Sequence, residues 1–256
     1  MIKFHFVFDR TRKAILLKKN LLKKYKSHSI TKSSHIIIGG GDGFMLHNLK
    51  KYYKYNLPFY GINCGTYGFL LNKYESKNLN IKIKNSKKIT INPLGLTCVD
   101  KKKIIKKYIA INEVSLFRQS RQTTSLNLKV GKINVIKKLI GDGILICTPA
   151  GSTAYNLSVH GPILSLNSGK IAITPISPFR PRRWKGKIVS NNKSIKILNL
   201  DTNKRPVAAA SDNQEFRNIK SLTIKVNKEI KIDLLFDKNR SLIKKIKIEQ
   251  AIKNIR

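Results

Sequence analysis

The stretch Ser34-His35-Ile36-Ile37-Ile38-Gly39-Gly40-Gly41-Asp42-Gly43 decides the fold class of this chain. A short, wholly apolar run that ends in consecutive glycines is typical of a strand buried on both faces, as in a parallel sheet. Amphipathic helices are predicted over 10–26 and 45–55, and a second apolar strand over 58–63. This order of strands, helices and glycine turns predicts a small, parallel, Rossmann-like α/β domain. Such folds bind ligands at the carboxyl ends of their strands, where the glycine turns fall.

The rest of the chain has a different pattern. From about residue 81 short apolar segments, the first over 89–91, alternate with turns, and helix-length periodic stretches are nearly absent. This pattern predicts a second, β-rich domain with a β-sandwich-like core. Helical spacing returns near the end and predicts a last helix that packs back on the first domain. We therefore expect a first domain over 1–85, completed by 237–256, and a second over 86–236.

The composition excludes several classes of protein. The 256 residues include 52 Lys and Arg against 13 Asp and Glu, a formal net charge of +39. Because 41% of the residues are apolar, the chain is not a disordered basic tail, and no apolar run reaches the roughly 18–20 residues that span a bilayer. The lysines are spread along the whole chain, so we attribute most of the charge to biased composition. We expect neither a specific nucleic-acid partner nor a membrane partner.

The cysteines and the N-terminus predict a cytoplasmic protein. Cys64, Cys98 and Cys147 are too few and too far apart for a disulfide framework or a CxxC metal site, and each is expected to be a small buried residue. The first residues lack the long apolar stretch of a signal peptide. A reducing compartment is therefore the simplest expectation.

The first glycine turn suggests phosphate chemistry. Gly39-Gly40-Gly41-Asp42-Gly43 is neither a Walker loop nor a GxGxxG motif, but its glycines would let backbone N–H groups approach phosphate oxygens. Asp42 would repel a phosphate unless it coordinates a metal or accepts a proton from a hydroxyl nucleophile. The alternative is a tight turn in which Asp42 caps the next helix.

Three further segments suit a nucleotide. The strand before Gly151-Ser152-Thr153 ends in a turn of small hydroxyl residues, with Tyr155 as an aromatic face; a plain turn is the alternative. Asn112-Glu113 could bind a base edge and a ribose diol, or serve as a cap or turn. The loop 178–184 places Arg180 among three arginines suited to phosphate, or is merely an exposed basic loop.

Taken together, these segments resemble the NAD kinases of the bacterial type. The matching motifs are Gly40-Gly41-Asp42-Gly43, the run 61–70, Asn112-Glu113-Val114, the block 141–155 with Gly161-Pro162, and the run 173–178. They occur in the family's order. GGDG alone is shared with diacylglycerol and sphingosine kinases, whereas the ordered set is specific.

The resemblance implies phosphoryl transfer from ATP, or from inorganic polyphosphate, to the 2′-hydroxyl of the adenosine ribose of NAD, which gives NADP. It implies Asp42 as the general base, Mg²⁺ or another divalent metal that accompanies the donor, and a homo-oligomer, dimer or tetramer. Gly40 and Gly41 would face the phosphates. From the chemistry of the basic loop we expect Arg180 to face them as well. The residues that the resemblance assigns to NAD are Gly43, Phe69, Asn112, Glu113, Asp142, Thr153, Ala154, Tyr155, Ser158 and Gln214.

The chain departs from the family pattern at three places. Phe44 stands where Thr is usual, His160 where glycine is common, and Ser211-Asp212-Asn213-Gln214 where Asp-Gly-Gln is common. We interpret Asn213 as a benign change because Asn tolerates a left-handed backbone.

The alternative function is a lipid kinase that shares GGDG. The segments around Asn112 and Gly151 argue against it.

Overall fold

The computed structural model describes residues 2–75 and 78–238, and the chain divides into two compact units. The first unit comprises 1–91 and 230–256, and the second comprises 92–229. Apart from Lys238, the helix expected near the C-terminus lies outside the described residues. Among the described residues, no helix combines the length and apolarity needed to cross a bilayer.

The described residues form short helices and many strands. The helices are α1 (Arg12–Leu22), α2 (Asp42–Tyr52), α3 (Leu79–Lys84) and α4 (Tyr155–Ser158). The strands are β1 (Phe4–Phe8), β2 (His35–Gly40), β3 (Phe59–Asn63), β4 (Lys87–Ile91), β5 (Leu94–Asp100), β6 (Ile105–Ala110), β7 (Glu113–Arg118), β8 (Thr124–Val130), β9 (Ile133–Gly141), β10 (Gly143–Cys147), β11 (Lys170–Ile176), β12 (Lys187–Ser190), β13 (Ile195–Asn199), β14 (Val207–Ser211), β15 (Gln214–Phe216), β16 (Ile219–Val226) and β17 (Ile232–Phe236).

The first unit is built on a largely parallel sheet in the order β1-β2-β3-β17-β4. Strands β1, β2, β3 and β17 run parallel, and β4 is antiparallel to β17. Ile36, Ile37 and Ile38 of β2 are fully buried, as expected for a strand covered on both faces. Helix α1 buries Leu17 and Leu21 in the core of the same unit. The α/β domain is therefore confirmed.

The boundaries of the first unit differ from those expected. The segment 89–91 was assigned to the β-rich domain, but it belongs to β4, which pairs with β17 in the first sheet. The units therefore divide after Ile91 and Glu229 rather than after 85 and 236. A strand that joins a sheet from far along the chain leaves no local sign of its partner, so the sequence pattern could not place it.

The second unit is a two-sheet β structure. One sheet has the order β12-β11-β10-β7-β14-β15 and the other the order β6-β5-β16-β13-β8-β9, with every pair antiparallel. Both sheets contribute to one apolar core, for example through Leu116 and Ile146 of the first and Leu128 and Ile197 of the second. This arrangement confirms the expected β-sandwich-like domain.

Candidate active site

In the first unit the glycine turns 39–43 and 64–68 lie against each other at the carboxyl ends of β2 and β3. The N–H of Cys64 donates to the carbonyl of Gly40 at 2.8 Å. A Cβ added to Gly65 would lie 3.4 Å from the Cα of Gly41. At Gly41 and Gly43 an added Cβ would meet no described atom within 4 Å, so both residues border open space. Backbone N–H groups beside such space can approach an anionic ligand.

Asp42 is the first residue of α2, and its carboxylate connects the two turns. Oδ2 accepts a hydrogen bond from the N–H of Phe69 at 2.7 Å, and Oδ1 accepts one from the N–H of Leu70 at 2.9 Å. None of the roles predicted from the sequence, metal ligand, general base or helix cap, included this link. A carboxylate has about four lone-pair sites, so two backbone bonds leave capacity for a hydroxyl proton.

The turn after β3 is held in shape by a residue that the sequence did not single out. Asn63 Oδ1 accepts the N–H of Gly65 at 2.9 Å, and Gly68, at φ +69°, lies so close to the Asn63 side chain that an added Cβ would be 2.5 Å from its Cγ. Phe69 is half-buried, and its ring stacks on Tyr67 at 6.2 Å. The loop that carries Phe69 is therefore held in one conformation by the Asn63 contacts and by the stacking on Tyr67.

Phe44 fills the space where a smaller residue is usual. A Cβ added to Gly40 would lie 2.6 Å from Phe44 Cδ1, so the aromatic ring packs directly on the glycine turn. The ring is half-buried in the first turn of α2. The consequence is an apolar wall beside Gly40 in place of a hydroxyl group.

In the second unit the structure brings Asn112-Glu113 and the glycine–serine turn together. The N–H of Thr148 donates to the carbonyl of Asn112 at 2.9 Å, and the Thr148 hydroxyl donates to the carbonyl of Ile111 at 2.7 Å. A Cβ added to Gly151 would lie 2.2 Å from the Asn112 carbonyl oxygen. Only glycine therefore allows the turn to approach this closely.

The side chain of Asn112 has a buried oxygen without a hydrogen-bond partner among the described residues. Its Oδ1 is buried and accepts no hydrogen bond from the described part of the chain. Glu113 is half-buried beside Cys147, and burial of the thiol, together with this carboxylate, raises the pKa of Cys147 to about 12. An unpaired buried carbonyl oxygen is costly, so a hydroxyl or amino group of a bound molecule would find a partner there.

Asp212, to which the sequence assigned no role, fixes the same segment. Its carboxylate accepts the N–H groups of Ile111 and Asn112, at 2.9 Å each, and of Glu113 at 3.2 Å. Asp212 adopts the left-handed backbone, φ +51°, whereas Asn213 is not among the residues with positive φ. The tolerance attributed to Asn213 is thus needed at Asp212. Gln214 follows on β15 and is exposed.

The turn that follows β10 uses its hydroxyl groups in different ways. Ser152 is fully buried; its hydroxyl donates to the Pro149 carbonyl at 2.7 Å and accepts the N–H of Leu164 at 3.1 Å, so it stabilises the turn itself. Tyr155 is 37% exposed, and its ring lies 5.8 Å from that of Phe117. The other assigned residues here are Thr153, which is buried, Ala154, which is half-buried, and Ser158, which is exposed.

Asp142 lies apart from Asn112-Glu113 and the turn 151–153. Arg118 Nε donates to its Oδ1 at 2.6 Å in a half-exposed ion pair. Because Cys147 pairs with Glu113 across β10 and β7, Asp142 lies beyond the opposite end of β10, about 17 Å along the strand from Cys147. Only an extended ligand could contact both Asp142 and Glu113.

The basic loop presents ordered arginines. The guanidinium carbons of Arg180 and Arg182 each lie 5.4 Å from the centre of the Phe179 ring, in cation–π contacts. The carbonyl of Arg180 accepts the N–H of Ile140 at 2.7 Å, which fixes the loop to β9. Phe179, Arg180 and Arg182 are all exposed.

Among residues 2–75 and 78–238, no three His, Cys, Asp or Glu side chains cluster in a metal-binding arrangement.

Residues 111–238 match the family model described as ATP-NAD kinase C-terminal domain. The NAD kinase of Rickettsia bellii is 43% identical over 250 residues, which cover 98% of this chain and 98% of that protein. The NAD kinase of Rickettsia felis is 43% identical over 97% of each chain.

Solved structures share the fold. The crystal structure of yeast NADH kinase complexed with NADH has a TM-score of 0.80 at 17% identity and covers 100% of this chain and 89% of that one. An NAD kinase from Archaeoglobus fulgidus in complex with ATP has a TM-score of 0.73 at 19% identity, with 100% of each chain covered. With relatives of this identity over nearly its whole length, the chain is a phosphotransferase that belongs to the NAD kinase family.

Proposed function

We propose that this protein transfers the terminal phosphoryl group of ATP to the 2′-hydroxyl of the adenosine ribose of NAD and so forms NADP. Inorganic polyphosphate is the alternative donor. The observation that carries the proposal is the Asp42 carboxylate, which two backbone N–H groups hold in place between glycines that border open space. An acid in a phosphate-facing turn is useful when the attacking group is a hydroxyl that must lose a proton.

Asp42 is the general base in this scheme. One of its oxygens takes the proton of the 2′-hydroxyl while the ribose oxygen forms a bond to the γ-phosphorus. The bond between that phosphorus and the β–γ bridging oxygen breaks, and ADP leaves. The N–H groups of Phe69 and Leu70 stabilise the carboxylate and aim it. Because each oxygen uses one lone pair for the backbone, each keeps another for the proton.

In the second unit we assign Asn112, Glu113 and Tyr155 to NAD on the following grounds. The buried Oδ1 of Asn112 would accept a hydrogen bond from the nucleoside, and the carboxylate of Glu113 would accept hydrogen bonds from ribose hydroxyls. The exposed ring of Tyr155 offers a surface for stacking. The further residues that we assign to NAD are Gly43, Phe69, Asp142, Thr153, Ala154, Ser158 and Gln214.

The donor phosphates would face Gly40 and Gly41, with Arg180 as a cationic contact. Mg²⁺ would enter with the phosphates of the donor, since this ion keeps several waters and is commonly held by substrate phosphates with one or two carboxylates. Bound there, it would neutralise charge on the transferred group.

We further propose a homo-oligomer, which light scattering would test, and a cytoplasmic location, which the three free cysteines support.

The test is a product assay. Purified protein is incubated with Mg²⁺ and either ATP or polyphosphate, with NAD or NADH as acceptor, and NADP or NADPH is quantified by chromatography. We expect NADP with at least one donor. A parallel reaction contains diacylglycerol or sphingosine in place of NAD. Phosphorylation of the lipid without formation of NADP would replace this proposal by the lipid-kinase alternative.

A further inference from the structure

Asp212 binds the backbone that carries two of the residues we assign to the acceptor. Its carboxylate accepts three consecutive N–H groups, those of Ile111, Asn112 and Glu113, at 2.9, 2.9 and 3.2 Å. Its own N–H donates to the Glu113 carbonyl at 3.0 Å. Hydrogen bonds to an ionised acceptor are about twice as strong as neutral ones. One side of this segment is therefore held by a single side chain, from the turn between β14 and β15.

The other side of the segment is fixed as well. The carbonyls of Ile111 and Asn112 accept the hydroxyl and the N–H of Thr148, at 2.7 and 2.9 Å. With bonds on both sides, the backbone has little freedom to shift. The buried Oδ1 of Asn112 therefore keeps one position before a ligand arrives, and a bound nucleoside would not need to order it.

We infer that Asp212 is a positioning residue for the acceptor substrate. It touches no reacting atom; it holds the 111–113 backbone so that the side chains of Asn112 and Glu113 meet the nucleoside without rearrangement. This inference rests on the proposed function, because it concerns the site we assign to NAD. We assign no contact with the donor to this segment, so the effect that we propose for Asp212 is on the acceptor.

The variant Asp212→Asn tests this role. Asn tolerates the left-handed backbone that Asp212 adopts at φ +51°, so the hairpin keeps its path. The amide, however, places an NH₂ group where a carboxylate oxygen accepted N–H groups. Asp100→Asn is the matched control, because Asp100 also accepts a backbone N–H, that of Ile104 at 2.9 Å, but in the β5–β6 turn.

We expect the KM for NAD of Asp212→Asn to rise about 10- to 100-fold, as for loss of a charged hydrogen bond. The KM for ATP should stay within about twofold of the wild type, and Asp100→Asn should leave both values unchanged. Asp212→Glu keeps the charge and should lie between Asn and wild type. It also serves as the second variant if Asp212→Asn fails to fold by circular dichroism.

The outcomes separate the two proposals. If the wild type forms no NADP with either donor, both the proposed function and this inference are overturned. If the wild type is active but Asp212→Asn has an unchanged KM for NAD, Asp212 has no positioning role. Equal rises in the KM values for NAD and ATP would likewise overturn the inference, because they would indicate general damage to the fold.

Discussion

The carboxylate of Asp42 accepts a hydrogen bond from the backbone N–H of Phe69 at 2.7 Å. Together with its bond to the N–H of Leu70, this contact ties the first residue of α2 to the loop after β3. Asp42 therefore has a structural role in addition to the general-base role that we propose for it. A variant at this position changes both, so the test needs a control that loosens the loop and leaves the carboxylate in place.

We expect Asp42→Asn to lower kcat about 10²- to 10⁴-fold, the usual contribution of a general base. An amide cannot take the proton, and its NH₂ group would face one of the two backbone donors. Steady-state kinetics and NAD binding, measured by calorimetry, would show whether turnover falls more than affinity.

Asn63→Ala is the control for the loop. It removes the acceptor for the N–H of Gly65 but retains the Asp42 carboxylate. We expect it to keep kcat within about tenfold of the wild type, the range that loss of one neutral hydrogen bond allows. A loss as large as that of Asp42→Asn would assign the effect to loop order rather than to proton transfer.

Phe44→Thr should restore a hydroxyl beside the glycine turn. We expect the KM for ATP to fall about 2- to 10-fold relative to Phe44→Val, the gain of one hydrogen bond. The comparison with Val isolates the hydroxyl, because the two side chains have nearly the same shape and both remove the ring that packs on Gly40. Equal KM values for the two variants would show that the donor does not use this position.

His160 and Gly161 give opposite expectations for stability. His160 has φ +61°, a conformation that costs most residues roughly 1–2 kcal/mol, so His160→Gly should raise the free energy of unfolding by up to about 1 kcal/mol after the entropy cost of glycine. At Gly161 an added Cβ would lie 2.1 Å from Asn156 Oδ1, which already accepts the Thr174 hydroxyl at 2.6 Å. Gly161→Ala should therefore cost about 1–3 kcal/mol.

Thermal unfolding checks this pair. A change of 1 kcal/mol shifts Tm by about 2–4 °C for a chain of this size. If His160→Gly lowered Tm as Gly161→Ala does, contacts of the imidazole would outweigh the backbone strain.

The sequence predicts best what is local. The apolar run 36–38 and the glycines after it predicted a buried parallel strand that ends in a glycine turn, and the structure confirms both. Asp42 and Asp212 show the limit. Their backbone partners lie 27 to 28 and 99 to 101 residues away, so no local pattern could reveal these bonds. The strand β4 was misassigned for the same reason.

Cys64, whose N–H bonds to Gly40, offers a chemical test of the glycine turn 39–43. Burial, and then the charge of Asp9, raise the pKa of this thiol, while Lys13 lowers it in part. Because the thiolate is the nucleophile and forms only as pH rises through the raised pKa, alkylation by iodoacetamide should be slow at neutral pH and should accelerate only at a more alkaline pH than for an ordinary thiol. Cys98 and Cys147 are buried and should react more slowly still.

Alkylation of Cys64 should also abolish activity. Its half-buried side chain packs against the core of the first unit, and its N–H bonds to the Gly40 carbonyl, so we expect an added group to disturb this turn. Loss of activity should follow the extent of modification of Cys64, measured by mass spectrometry, and ATP should slow both. Cys64→Ser should remain active and resist the reagent. If the fully alkylated protein kept its turnover, the contact between Cys64 and Gly40 would have no bearing on the position of the phosphates.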